Sequence, residues 1–421
     1  MTETQIRPFF GWRVVAAAFV LAVFGWGLGF YGPPVYLHAV VKRTGWTVAL
    51  VSAAVTVHFL VGAIVVANMP RLYRMFGVPA VTSIGAGLLA IGVAGWAVAI
   101  EPWHLFAAAL LSGVGWVALG AAAINAIIAP WFVRARPAAL ATAYNGASIG
   151  GVVFSPLWVA LIAALGFQWA AVAVGVTMVL VVWALAVLVF SKTPAGFGQS
   201  ADGDAPGKPS AGITSALATP LPGGKLWRDV RFVTLAAGMA LGLFAQIGLI
   251  AHLFSLLVPA LGAQNAGLAM GFATACAIVG RTLVGWLMPV GADRRLVACV
   301  SYGVQVIASL VLIAAAGTSI PLLLIGVALF GAGIGNATSL PPLIAQVEFD
   351  KEDVQRVVSL IVAMGQATYA FAPAVFGLIR TMAPAVPLQA STDGTLLYAI
   401  AAAVQLAAIA CFLAGRQRGH A

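Results

Sequence analysis

Charge is what this chain has least of. Only 8% of its 421 residues are Asp, Glu, Lys or Arg, against roughly one-quarter in an average soluble protein. A water-soluble domain of this length cannot cover its surface with so few. Cysteine is nearly absent at 3 residues, which excludes a disulfide-stapled secreted scaffold. Cys276, Cys299 and Cys411 all fall in apolar stretches and read as small core residues. The high-charge, low-hydropathy signature of disorder is missing as well. The 11 acidic residues are Glu3, Glu101, Asp202, Asp204, Asp229, Asp293, Glu348, Asp350, Glu352, Asp353 and Asp393, and all lie outside the cores of the apolar runs. P-loop, HExxH and CxxC patterns are lacking, as is a Ser/His/Asp set with an acid at depth. ATP-driven pumping therefore has no residues to work with, and an enzyme, a cofactor and a metal are not expected. The GVGWVALG run sits inside an apolar helix with no strand before it, so it is not a dinucleotide fingerprint.

What is present is apolar: 62% hydrophobic residues, with 47 Gly and 22 Pro, and a mean hydropathy of +1.05. A membrane helix takes about 20 apolar residues, so a span with a short loop every ~35 residues gives about 12 spans. They are placed at 11–38, 46–68, 78–99, 103–128, 137–163, 169–190, 231–256, 264–288, 296–316, 320–345, 355–380 and 394–414. The expected fold is an all-α membrane protein with two six-helix halves, 1–190 and 231–421. The Gly/Pro/Ser-rich stretch 191–230 joins them as a cytoplasmic linker. The leading MTETQIRPFF is too polar and short for a cleaved signal peptide. The net charge of +10 is spread one or two residues per loop, a topology signal and not a nucleic-acid footprint. Arg7, Arg71, Arg74, Arg134, Arg136, Lys192, Lys208, Lys225, Arg228, Arg294, Arg295, Lys351, Arg356, Arg416 and Arg418 fall on one side. Lys42, Arg43 and Arg380 fall on the other. Both termini are thus expected in the cytoplasm, in a multi-pass monomer of the cell's inner (plasma) membrane. Trp12, Trp46, Trp103, Trp131, Trp169 and Trp227 stand near span ends, where interface aromatics belong.

The halves echo each other. Gly113 and Gly115 in the fourth span correspond to Gly331, Gly333 and Gly335 in the tenth, and Pro156 in the fifth to Pro373 in the eleventh. A basic loop precedes the fifth and eleventh spans alike. Duplicated bundles of this kind hold substrate near the midplane between the halves. On these features the chain resembles the major facilitator superfamily over nearly its whole length. The family's signature between spans two and three is degraded in PRLYRMFG (Pro70 to Gly77), where the aspartate position reads Arg74. Its second copy, Gly280, Arg281, Gly285 and Asp293-Arg294-Arg295, is better kept. The resemblance implies a cytoplasmic gate at Gly77, Asp293, Arg294 and Arg295. Gly11-Trp12, Tyr31-Gly32-Pro33-Pro34, Gly45-Trp46, Trp131-Phe132 leading into NGASIGG (Asn145 to Gly151), and Arg281 together resemble the monocarboxylate and oxalate/formate branch. Two departures stand out: Val35 replaces the animal carriers' lysine, and Ala277 their aspartate one turn before the arginine.

With no acid at depth, the ionisable residues within spans are His58, His252 and Arg281. An arginine there costs at least about 2.5–3.5 kcal/mol on insertion scales. It either receives an anionic substrate, whose carboxylate matches guanidinium bidentately, or snorkels to brace the gate. His58 either carries a proton near neutral pH or hydrogen-bonds a neighbouring helix; His252 is a second proton-coupling candidate. Tyr31, Asn145, Tyr369 and Gln246 are further substrate-binding candidates, beside Trp26, Tyr144, Asn336 and Gln366. Each is either cavity lining or interhelical glue. The expected function is secondary transport of a small organic anion, a monocarboxylate, by proton symport or anion exchange. The partners are that anion, a possible co-transported proton and the lipid bilayer. The competing reading is an exporter of drugs or other neutral, lipophilic compounds through a cavity lined by Trp26 and Trp116. A membrane enzyme or nutrient sensor on the same bundle is the third.

Overall fold

A computed structural model of the chain describes residues 9–203, 226–289, 291–382 and 391–416. Among these residues the regular structure is helical throughout. The first half comprises α1 (Gly11–Gly29), α2 (Gly32–Thr44), α3 (Val48–Phe76), α4 (Val78–Val98), α5 (Pro102–Ala118), α6 (Ala121–Ile128) and α7 (Arg136–Leu185). The second comprises α8 (Val230–Leu261), α9 (Ala263–Leu287), α10 (Arg294–Ala314), α11 (Ile320–Ile334), α12 (Leu340–Glu348), α13 (Lys351–Ala370), α14 (Ala372–Met382) and α15 (Ser391–Ala414).

Proline and glycine decide where these helices stop. Pro33 and Pro34 cannot donate a backbone N–H, so they occupy the first turn of a new helix, and the first crossing breaks into α1 and α2 at Phe30–Tyr31. Gly77 takes φ 78° and ψ 155° and ends α3 where α4 begins. Gly166, at φ 76° and ψ 160°, breaks the long helix α7. Ten segments are long and apolar enough to cross a membrane. The sequence reading of twelve counts two more, and the difference lies in two places. Arg136–Phe190 counts as one segment although the Gly166 break divides it in two, and Ile320–Ile334 is a shorter apolar helix. Around the bundle Ile84, Ile91, Leu180, Trp183, Val300 and Ile307 are exposed, an apolar belt that water would not tolerate and lipid does.

Small residues let the backbones close. A Cβ at Gly280 would overlap the Ala332 carbonyl, one at Gly331 that of Ala273, and one at Gly335 that of Ala277, so α9 and α11 meet main chain to main chain. The end of the bundle bearing Arg71, Arg74, Arg134, Arg136 and Arg294 is called the basic end below.

Part of the expected linker is anchored. Phe197 stacks on Phe10 with ring centroids 4.5 Å apart, and the Phe10 N–H donates to Gln199 Oε1 at 3.1 Å. Asp202 accepts the backbone N–H groups of Val133 (3.2 Å), Arg134 (2.8 Å) and Ala135 (3.1 Å), just ahead of α7. Burial raises the Asp202 pKa, but these backbone donors more than offset it and leave the carboxyl below its ordinary range. Residues 191–203 are thus a strap across the basic end of the first half. The strap also covers Trp131, which is 2% exposed between Phe9, Phe10 and Phe197 and not at a lipid interface.

Candidate functional site

The two halves meet at the end opposite the basic loops, where α2 also packs on α8 and two seams are tight. In the first, the break before α14 frees backbone donors, and the Ala374 N–H reaches Thr56 Oγ1 of α3 at 3.0 Å. Gly377 rests against Ser52 and Ala49 one turn further on. In the second, Gly267 and Gly271 of α9 lie against the Val152–Pro156 stretch of α7. Toward the basic end the facing helices part. Gly285, three turns from Thr274 on the same face of α9, has nothing within 4 Å of where its Cβ would stand, and Arg74, on the Thr56 face of α3, is exposed. The space between the halves is a chamber closed on one side and open at the basic end.

Tyr31 forms the closed roof. The α1–α2 break aims its ring at Gly151 of α7 and Thr274 of α9, with Thr274 beside its hydroxyl. A small recess lined by Tyr31, Met270, Thr274, Ala277, Phe330 and others lies there. Arg281 is two helical turns below Thr274 on the same face of α9, about 10 Å nearer the basic end. It is half-buried. Its Nε donates to the Gly335 carbonyl just past α11 at 3.0 Å. Among the described residues no carboxylate pairs with it. Its terminal nitrogens are therefore left for another acceptor.

The remaining candidates are spread through both halves. His58 is buried, with Nε2 2.9 Å from the Gly29 carbonyl and Nδ1 2.9 Å from Ser112 Oγ. Gly29 would have bonded the N–H four residues on, and that residue is Pro33, so His58 supplies the missing donor. His252 is also buried. Its Nε2 lies 3.1 Å from the Pro373 carbonyl, and its Nδ1 has no partner among the described residues. Gln246 is buried with Oε1 unpartnered. Asn145 is exposed on α7. Tyr369 is half-buried, its ring 5.9 Å from that of Phe59. Asn336 is buried beside Gly335, and Gln366 is half-buried on α13. The structure thus brings Tyr31 and Arg281 to one chamber and sets His58 and His252 inside their own halves.

Two polar residues absent from the sequence reading touch candidates named in it. Thr274 meets Tyr31, and Asn125 of α6 donates Nδ2 to Tyr144 Oη at 2.6 Å. Each is a single polar residue in an apolar run, the signal that singled out Asn145 and Gln246.

The residues of the second signature copy form a network at the basic end. Asp293 caps α10 by accepting the Arg295 and Leu296 N–H groups, and it pairs with Arg416. Burial raises its pKa, and Arg416 with the two backbone donors brings it below the ordinary carboxylate value. Arg294 donates to the Leu343 carbonyl at 2.6 Å. Arg295, 1% exposed, forms a two-pronged pair with Glu348 at 2.6 and 2.8 Å. Gly77 marks the corresponding turn in the first half.

Comparison with known proteins bears on the fold. The family model described as Major Facilitator Superfamily matches residues 15–373. No curated protein matches the sequence. Among solved structures, the nucleoside transporter NupG superposes with a TM-score of 0.73 at 14% identity, covering 96% of this chain and 98% of that one. A bacterial homolog to the human lysosomal transporter Spinster, in an inward-facing and unoccupied conformation, gives a TM-score of 0.68 at 14% identity, covering 100% of both chains. At such identities the likeness is one of architecture.

Proposed function

This chain belongs to the major facilitator superfamily, and we propose that it is a secondary transporter of a small organic anion, a monocarboxylate, working by alternating access. The observation that carries the reading is Arg281. A guanidinium in a span costs at least about 2.5–3.5 kcal/mol on insertion scales, and one neutral carbonyl, Gly335 O, is its described protein acceptor. A carboxylate entering the chamber would supply both the counter-charge and acceptors for the terminal nitrogens. With the basic loops inside, as the Lys/Arg distribution favours, the chamber opens to the cytoplasm. The seams at Thr56 and Gly271 would then be the contacts released when it opens outward.

Energy coupling in this reading avoids a membrane carboxylate. The proton travels on the substrate's own carboxyl group, or a second anion moves in exchange. His58 and His252 are the protein groups able to share in it, and each also ties down a carbonyl near a helix break. The test is uptake of radiolabelled lactate into proteoliposomes by wild type, Arg281→Ala and Arg281→Lys. Losing charge-assisted hydrogen bonds of about 1.5–3 kcal/mol predicts a drop of about 10- to 100-fold for the alanine variant. Lysine keeps charge without the fork and should recover part of it. Equal uptake by all three would remove Arg281 from the site.

A further inference from the structure

At about the depth of Arg281 the other half carries an aromatic cluster, and that cluster narrows the anion's chemistry. Trp26 of α1 stands with its ring 5.0 Å from Trp116 of α5 and 6.3 Å from Tyr144 of α7, at 83° to each. Trp26 and Tyr144 are half-buried, so their rings keep free surface. The Tyr144 hydroxyl is already engaged: it receives Asn125 Nδ2 at 2.6 Å and donates to the Ala121 carbonyl at 3.2 Å. What this corner offers a ligand is therefore ring surface.

The depths agree. Tyr31, Gly151 and Thr274 touch one another at the roof. From that common level, helix rise puts Trp26 about 7 Å, Tyr144 about 10 Å and Arg281 about 10 Å toward the basic end. Cationic grip and aromatic corner thus stand at similar depth on helices of opposite halves.

We infer that the preferred substrate is a carboxylate bearing an aromatic ring, with the carboxylate on Arg281 and the ring in the Trp26–Trp116–Tyr144 corner. This deepens the anion reading above and rests on it. A formate- or lactate-sized anion would satisfy Arg281 and leave the corner wet. A ring would displace that water and gain the offset or edge contacts aromatic groups prefer.

The experiment is equilibrium binding to the full-length purified protein, by scintillation proximity with radiolabelled benzoate. Lactate, benzamide and uridine serve as unlabelled competitors. Benzoate is expected to bind about tenfold more tightly than lactate. Trp26→Leu should bring the two within about threefold by weakening benzoate alone, while Trp26→Phe, which keeps a ring, should retain most of the preference. Should benzoate bind no better than lactate, or should both Trp26→Leu and Tyr144→Leu keep the full preference, the ring inference falls and the anion reading stands. If benzamide or uridine competes as well as benzoate and Arg281→Gln changes nothing, the anion reading falls and takes the inference with it. Absence of saturable benzoate binding overturns the inference directly, and lactate uptake by proteoliposomes then decides the anion reading separately.

Discussion

Replacing Glu348 with glutamine removes the carboxylate that neutralises Arg295, a guanidinium with 1% of its surface exposed. In the native protein every nitrogen of that group is engaged. Nε and Nη2 bind Glu348 at 2.6 and 2.8 Å, Nη2 also reaches the Arg231 carbonyl at 2.8 Å, and Nη1 reaches Thr234 Oγ1 at 3.0 Å and the Phe412 carbonyl at 3.3 Å. These contacts draw the ends of α8, α12 and α15 onto α10. Removing one partner of a buried pair costs about 3–5 kcal/mol. The neutral acceptors survive here and the Glu348 side chain is 16% exposed, which places the loss near the lower bound, about 3 kcal/mol. A unit the size of one half shifts its melting temperature by about 2–4 °C per kcal/mol, so a fall of about 6–12 °C is expected. Thermal unfolding in detergent, followed with a thiol-reactive dye at Cys276, Cys299 and Cys411, reads it. The double variant Arg295→Met with Glu348→Leu removes both charges and should lose less than Glu348→Gln alone. A Glu348→Gln protein melting within about 3 °C of wild type would refute the account of a guanidinium dependent on its counter-ion.

Other expectations concern the seams and the strap. Thr56→Val deletes the bond from the Ala374 N–H across the halves; a cysteine placed at Ser52 should then react several-fold faster with an impermeant thiol reagent, and an unchanged rate would deny this bond a part in closing the chamber. Asp202→Ala leaves the Val133, Arg134 and Ala135 amides without their acceptor, so trypsin should cut faster at exposed Lys192 and those amides should lose exchange protection. Because the folded Asp202 pKa is lowered, its contribution is full above the ordinary carboxylate range and fades as pH falls through the folded value. Wild-type protection of the three amides, corrected for intrinsic exchange, should follow that course.

The architecture was legible because its signals are local and strong. Long apolar runs have one stable answer in lipid, and Pro33-Pro34 must break a helix wherever they stand. Arg281 was conspicuous for a subtractive reason: once every acid is placed in a loop, a cation within a span has no evident mate. What holds it could not be read, since Gly335 offers a main-chain oxygen that every residue type possesses. The strap was hidden for the same reason. Asp202 binds backbone amides of residues distant in sequence, and the Gly/Pro-rich composition around it says only that no long helix forms. Trp131 looked like an interface aromatic from its place at a span end, but Phe10 and Phe197 cover it. The aromatic corner is half visible: Trp26 and Trp116 read as cavity candidates in the sequence, while the Asn125 contact that occupies Tyr144 depends on how α6 sits against α7.

Arg281 is anchored to Gly335 within its own half, so in the proposed alternating-access cycle guanidinium and anchor would swing as one piece. Trp26, Trp116 and Tyr144 belong to the other piece. A stiff ligand gripped at both ends would then fit at one stage of the cycle only, and any departure from that stage must stretch one attachment. Tightening both grips would slow discharge, so the fastest-carried compound need not be the tightest-bound one.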